Sequence, residues 1–224
     1  MTDYTYQTSR SQKPKKAASL LNICWRQSKP YVLIGKRHHD HRFLPGFYVF
    51  NEEDVKRRDY CAPITEELIE ADQWSILNNH PKTQSQRLAK AFGVCTLRET
   101  FEKNGAITSK KLKISKVEAH DKGFQSKLYS YGFINLSYLR YFARAITLFN
   151  HPCHYDTYFY MVNYKYVTNP YDIKDKKELS DLQWLDISKT SNLPIHPIKK
   201  ISLAKNLLPN KKQCKIPCQH ILYL

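Results

Sequence analysis

Glycine is scarce in this sequence, with only 6 residues among 224. A loop that wraps its backbone around a phosphate needs closely spaced glycines, because a Cβ atom would block the approach. The sequence therefore excludes a glycine-rich phosphate loop. Long apolar runs are also missing, since no stretch approaches the ~20 residues that span a bilayer. Residues 1–16 are polar and basic and lack the apolar core of a signal peptide. We therefore expect no membrane segment and no secretory signal.

Cysteines and acidic residues are few as well. The six cysteines follow no disulfide-like spacing, which predicts reduced thiols and a cytoplasmic protein. Asp and Glu number 20 against 36 Lys and Arg, which gives a net charge of +16. Such a surface favours anionic partners such as nucleotides or nucleic acids. The alternative is a lysine-rich composition unrelated to any partner, because the sequence has no dedicated nucleic-acid motif.

What the sequence does contain is material for a folded core. Hydrophobic residues make up 42% of the chain, with 16 Tyr and 10 Phe, which excludes wholesale disorder. Strands interleaved with helices indicate an α/β or α+β domain. The apolar patterns predict strands at 29–35, 47–50, 155–167 and 182–185, and helices at 63–79, 85–104 and 197–208.

The length of 224 residues suits one domain with an insertion or tails. We expect a basic leader over 1–18, a single domain over 19–208 and a basic tail over 209–224. An insertion at about 54–84 is expected inside the domain.

Aromatic residues are expected mainly in the core. Trp74 and Trp184 are predicted to anchor the core rather than to stack on bases. Tyr158 and Tyr160 lie two residues apart on a predicted strand, so they share one face. We expect them to fill that face of the sheet.

One helical segment carries a pattern of charged residues with chemical meaning. It reads Arg98-Glu99-Thr100-Phe101-Glu102-Lys103-Asn104-Gly105-Ala106. Glu99 and Glu102 lie three residues apart, so their side chains share one helical face. Such carboxylates can hold Mg²⁺ or Mn²⁺ against a diphosphate. The segment resembles the core of the Nudix box, whose pattern is Arg-Glu-apolar-any-Glu-Glu-any-Gly-apolar.

Three further segments are similar to a bacterial Nudix branch in which a long insertion separates a glycine pair from the box helix. They are 42–50, 143–159 and 178–185, the last being where such proteins place an acidic residue and a tryptophan. The order and spacing hold over about 30–208. The resemblance implies a Nudix-like α/β/α sandwich, in which helices flank a mixed β-sheet.

The resemblance also implies a function, the Mg²⁺- or Mn²⁺-dependent cleavage of a diphosphate linkage in a nucleoside diphosphate derivative. Glu99 and Glu102 would bind the metal and act in catalysis, with Arg98 bracing both carboxylates. A nucleotide-type small molecule is therefore the expected partner, and the oligomeric state is left open. Further candidates are Glu178 and either Glu52 or Glu53 as metal ligands, and Arg37 and Arg42 as substrate-binding residues.

The sequence departs from the Nudix pattern at several positions. Lys103 stands where the pattern has a metal-binding glutamate, and an ammonium repels a metal ion. Asn51-Glu52-Glu53 replaces the usual Pro-Gly-Gly. Gln84 and Lys90 stand where the full box has a glycine and a glutamate.

Three interpretations therefore remain open. The first is a working hydrolase whose site has been rebuilt around Glu99 and Glu102. The second is a catalytically inactive Nudix-fold protein that binds nucleotide or nucleic acid, with Lys103 paired to Glu99 or Glu102. The third is an interaction protein that uses the fold as a scaffold.

Overall fold

The longest described strand, β1, runs through the middle of a mixed β-sheet. The computed structural model describes residues 13–40, 45–78, 86–104, 109–110, 133–147, 154–167, 179–195 and 221–223. Within these residues the strands are β1 (Lys15–Arg26), β2 (Lys29–Arg37), β3 (Tyr48–Val49), β4 (Asn51–Asp54), β5 (Ile64–Glu66), β6 (Ser109–Lys110), β7 (Phe133–Asn135), β8 (Arg140–Ile146), β9 (Tyr155–Asn163), β10 (Leu179–Asp186) and β11 (Ile221–Tyr223). The α-helices are α1 (Glu70–Asn78) and α2 (Gln86–Asn104).

The order of strands in the main sheet is β10-β2-β1-β9-β8-β11, with β3 beside β2 and β4 beside β1. β1 pairs in parallel with β9, and β11 pairs in parallel with β8. The other pairs of this sheet are antiparallel. A smaller sheet has the order β5-β7-β6.

A two-residue turn joins β1 to β2. Gln27 and Ser28 both have positive φ, at 47° and 62°, and the strands close with Arg26 opposite Lys29. This backbone is typical of a type I′ hairpin turn, whose right-handed twist matches that of the flanking strands.

The two faces of the main sheet are covered by different elements. On one face, side chains of β1 and β9, including Leu20 and Tyr160, pack against Phe92 and other apolar residues of α2. On the other face, Leu21 and Phe159 pack with Ile187, which begins the 3₁₀-helix Ile187–Asn192. The mixed sheet is therefore flanked by helices, as predicted. No helix in the described ranges is long and apolar enough to cross a membrane.

Several predicted boundaries need correction. The leader predicted over 1–18 overlaps β1, which begins at Lys15, and Ala17 and Ala18 are fully buried because β1 pairs with β9. The tail predicted over 209–224 contributes β11.

The helix predicted over 63–79 is shorter than expected. Ile64–Glu66 is strand β5, because it pairs with β7, and the helix runs only over Glu70–Asn78. α2 confirms the helix predicted over 85–104. The helix predicted over 197–208 lies outside the described residues.

The predictions for the aromatic residues are confirmed only in part. Tyr158 and Tyr160 are fully buried, which confirms that they fill the sheet face. Trp74 is 62% exposed, so its prediction as a core anchor is wrong, because α1 turns Asp72, Ser75 and Ile76 inward instead. Trp184 is only partly buried and packs edge-on against Tyr164.

Candidate functional site

The last turns of α2 carry the charged residues of the sequence motif. Arg98 and Glu99 are each 1% exposed, although both are ionisable. The side chain of Glu102 is 35% exposed and that of Lys103 is 12% exposed. Helical spacing places these side chains on one face, and α2 turns that face toward β4.

Strand β4 adds a third carboxylate. β4 pairs with the first half of β1, where Glu53 lies opposite Ala18. The buried Cys95 of α2 contacts the carbonyl oxygens of Glu53 and Asp54 at 3.5 Å. This close packing brings the Glu53 side chain to the helix face that carries Glu99.

Glu53, Glu99 and Glu102 form what we call the carboxylate cluster. Each offers one oxygen, and these oxygens lie within 4.8 Å of one another. Glu99 Oε2 is buried and has no hydrogen-bond partner. Buried polar atoms are normally paired, and oxygen-only sites suit hard divalent cations such as Mg²⁺ or Mn²⁺. The cluster therefore has the chemistry of a divalent-cation site, with one acceptor oxygen left unsatisfied.

Arg98 is held by a residue that lies far from it in sequence. Its Nε and Nη2 donate to the two carboxylate oxygens of Asp59 at 2.8 and 2.9 Å. Its Nη1 donates to Glu99 Oε1, and to Glu102 Oε2 at 3.1 Å. The guanidinium thus contacts two members of the cluster, and its role in bracing them for a metal stays a prediction.

Other cations also contact the cluster. Lys56 Nζ lies 3.1 Å from Glu53 Oε1 and 3.7 Å from Glu99 Oε1. Lys103 Nζ lies 3.8 Å from Glu99 Oε2, and Arg58 Nη2 lies 2.8 Å from Glu102 Oε1. A divalent cation entering the cluster must displace these flexible side chains. Four carboxylates and four cations thus balance when ionised, namely Glu53, Asp59, Glu99 and Glu102 against Lys56, Arg58, Arg98 and Lys103.

Glu53 and Glu99 are close enough to influence each other's ionisation. Burial raises the pKa of the Glu99 carboxyl, and the adjacent Glu53 carboxylate raises it as well. Partial burial opposes ionisation of Glu53, but its contacts with Glu99 and Lys56 outweigh burial and lower its pKa. The two neighbouring carboxylates therefore repel each other when both are ionised, and a bound divalent cation would offset that repulsion.

The other predicted site residues are Arg37, Arg42, Glu52 and Glu178. Arg37 ends β2, where its backbone N–H donates to the carbonyl oxygen of Phe47 at 2.9 Å, and its part in substrate binding stays a prediction. Glu52 lies in β4 with its backbone opposite Ser19, and its side chain lies outside the description. Glu178 and Arg42 fall outside the described residues.

Three functional candidates were not foreseen from the sequence: Lys56, Arg58 and Asp59. Each lies on or next to the 3₁₀-helix Arg57–Tyr60, inside the predicted insertion. One signal was present, because Lys90 replaces the glutamate of the box and a buried Arg98 then needs a carboxylate from elsewhere. Nothing in the sequence selects Asp59 among the 20 acidic residues for that role.

The fold of this chain is similar to those of solved Nudix structures. A NUDIX hydrolase from Alicyclobacillus acidocaldarius matches with a TM-score of 0.65 and 20% identity, over 86% of this chain and 90% of that chain. A NUDIX hydrolase from Nitrosomonas europaea matches with a TM-score of 0.50 and 10% identity, over 95% and 80% respectively. No protein-family model and no curated protein matches the sequence. The structural likeness confirms the predicted Nudix fold, an α/β/α sandwich around a mixed sheet.

Proposed function

We propose that this chain, which has the Nudix fold, is a metal-dependent hydrolase that cleaves a diphosphate linkage in a nucleoside diphosphate derivative. The observation that supports it most is the carboxylate cluster with its unsatisfied Glu99 oxygen. In this proposal the Glu53 carboxylate, on β4, takes the place of the glutamate that the Nudix pattern has on α2 where this chain has Lys103. The proposal includes a cytoplasmic location, which rests on the sequence.

The residues of the cluster have distinct parts in this proposal. Glu53, Glu99 and Glu102 would hold Mg²⁺ or Mn²⁺, and Arg98 orients Glu99 and Glu102 through its Nη1. When bound, the divalent cation supplies positive charge that offsets the charge developing on the phosphoryl oxygens. The net charge of +16 favours the approach of an anionic substrate.

A second candidate function is nucleotide or nucleic-acid binding without turnover. It is favoured by the ammonium groups of Lys56 and Lys103, which lie within 3.1 to 3.8 Å of cluster oxygens. In this candidate the two lysines take the place of the metal charge, and the cluster is a structural ion-pair network.

Hydrolysis of a substrate panel separates the two functions. The purified chain is incubated with Mg²⁺ or Mn²⁺ and with dinucleotides, nucleotide sugars or coenzyme A, and released monophosphate is measured. We expect metal-dependent release that falls about 100-fold in Glu102→Gln, because a group that stabilises the transition state is removed. Glu67→Gln, at an exposed glutamate between β5 and α1, should leave the rate unchanged. Absence of turnover together with salt-sensitive oligonucleotide binding supports the second function instead.

A further inference from the structure

Asp59 is an acidic residue outside the Nudix-like motif that is buried as completely as the motif's arginine. Its side chain is 1% exposed. One oxygen accepts from Arg98 Nε, and the other accepts from Arg98 Nη2 and from the backbone N–H of Lys56 at 2.8 Å. Burial of an ion pair is costly unless both partners are fully hydrogen-bonded, and Asp59 meets that condition.

Arg98 is shared between Asp59 and the carboxylate cluster. Nε and Nη2 face Asp59, whereas Nη1 faces Glu99 and Glu102. The positive charge that Arg98 brings to the cluster is therefore offset by Asp59 at the opposite edge of the guanidinium. With all eight groups around the cluster ionised the net charge is zero, and without the Asp59 carboxylate the remaining seven carry a net charge of +1.

We propose that Asp59 is a positioning residue that neutralises Arg98, and so lets Glu99 and Glu102 bind a divalent cation. This inference rests on the proposed metal-dependent function. In the described contacts the Asp59 side chain does not touch the carboxylate cluster. It therefore acts on the cluster through Arg98. The short 3₁₀-helix Arg57–Tyr60, which lies in the predicted insertion, thereby becomes part of the metal site.

A substitution at Asp59 has a defined electrostatic consequence. In Asp59→Asn the amide oxygen can accept only part of the bidentate pair, and the amide nitrogen meets an arginine donor. The guanidinium then carries an uncompensated charge next to Glu99 and Glu102. That charge repels a divalent cation that approaches the two glutamates.

Calorimetric titration of the full chain with Mn²⁺, in the absence of nucleotide, tests the inference. We expect Asp59→Asn to lower the Mn²⁺ affinity at least about tenfold relative to the wild-type chain. The matched control is Asp156→Asn, which breaks a second buried pair in which Arg144 Nε and Nη2 donate to Asp156 at 2.6 and 2.8 Å. This control should lose comparable thermal stability yet keep Mn²⁺ affinity within about threefold, because Arg144 lies against Asp156 and the Tyr158 ring.

The outcomes separate this inference from the proposed function. If the wild-type chain binds no Mn²⁺, the proposed function fails and the inference fails with it. If the wild-type chain binds Mn²⁺ and both variants lose affinity equally, or neither does, Asp59 is merely structural and the inference is overturned.

A conservative variant covers the case in which Asp59→Asn does not fold. Asp59→Glu keeps the carboxylate that pairs with Arg98, so the net charge around the cluster stays at zero. We expect Mn²⁺ affinity within about threefold of the wild-type chain, and a tenfold or larger loss overturns the neutralising role.

Discussion

At the scale of single residues, Lys103 is the group that most directly opposes a metal ion. It lies one helical turn after Glu99, and its Nζ is 3.8 Å from the glutamate oxygen that has no hydrogen bond. Lys103→Glu removes a competing cation and adds a fourth carboxylate to the cluster, on the same helix face as Glu99. We expect Mn²⁺ affinity, measured by calorimetry, to rise at least about tenfold, which corresponds to roughly 1.4 kcal/mol.

The control for this prediction is Arg87→Glu. It makes the same change in net charge at an exposed position of the same helix, but lies 12 residues before Glu99, roughly 18 Å along the axis. At that distance mobile ions largely screen the added charge at physiological ionic strength. Equal affinities in the two variants would mean that Lys103 does not compete for the cluster.

The helical half of the candidate site could be predicted from the sequence, whereas its other half could not. Glu99, Glu102 and Arg98 could be predicted, because their spacing on one helix is a local property. The sequence offers both Glu52 and Glu53 as metal ligands. Which of the two side chains faces α2 depends on the pairing of β4 with β1. Asp59 was missed because its contact with Arg98 spans 39 positions in the chain.

At the scale of elements, the contrast between local patterns and long-range contacts explains why α2 could be predicted and β1 could not. The helical pattern of α2 persists over 19 residues, whereas β1 is buried on both faces and shows no polar–apolar alternation. Its hairpin turn also lacks the Asn-Gly pair that usually marks a type I′ turn. Gln27 and Ser28 occupy it with positive φ instead, a conformation that costs a residue with a Cβ about 1 kcal/mol or more.

That turn leads to a prediction about stability. The double change Gln27→Asn and Ser28→Gly introduces the residues best suited to positive φ at both positions. We expect the free energy of unfolding, measured by urea denaturation, to rise by about 1–2 kcal/mol. Gln27→Ala with Ser28→Ala keeps a Cβ at both positions and should give no gain. A gain of equal size in both double variants would show that relief of backbone strain is not the cause.

At the scale of the whole molecule, one buried carboxylate joins the outer helix to the main sheet. Asp72 of α1 is 4% exposed and accepts a hydrogen bond from the backbone N–H of Tyr141 in β8 at 3.1 Å. Burial raises the pKa of Asp72 to about 6, although the Tyr141 hydrogen bond and Arg140 act in the opposite direction. The folded state therefore holds a proton on Asp72 more strongly than the unfolded chain, where the pKa is about 3.9.

The sign of the resulting pH dependence follows from linkage. Protonated Asp72 favours folding, so its contribution is complete below about pH 4 and is lost as the pH rises through about 6. Asp72→Asn keeps an acceptor oxygen for Tyr141 and carries no charge at any pH. We expect this variant to be more stable than the wild-type chain by about 3 kcal/mol at pH 8 and nearly equal to it at pH 3.5, as measured by urea denaturation. The control Glu70→Gln, at an exposed carboxylate in the first turn of the same helix, should change stability by less than about 0.5 kcal/mol at both pH values. An advantage of Asp72→Asn that is equal at pH 3.5 and pH 8 would exclude ionisation of Asp72 as its source.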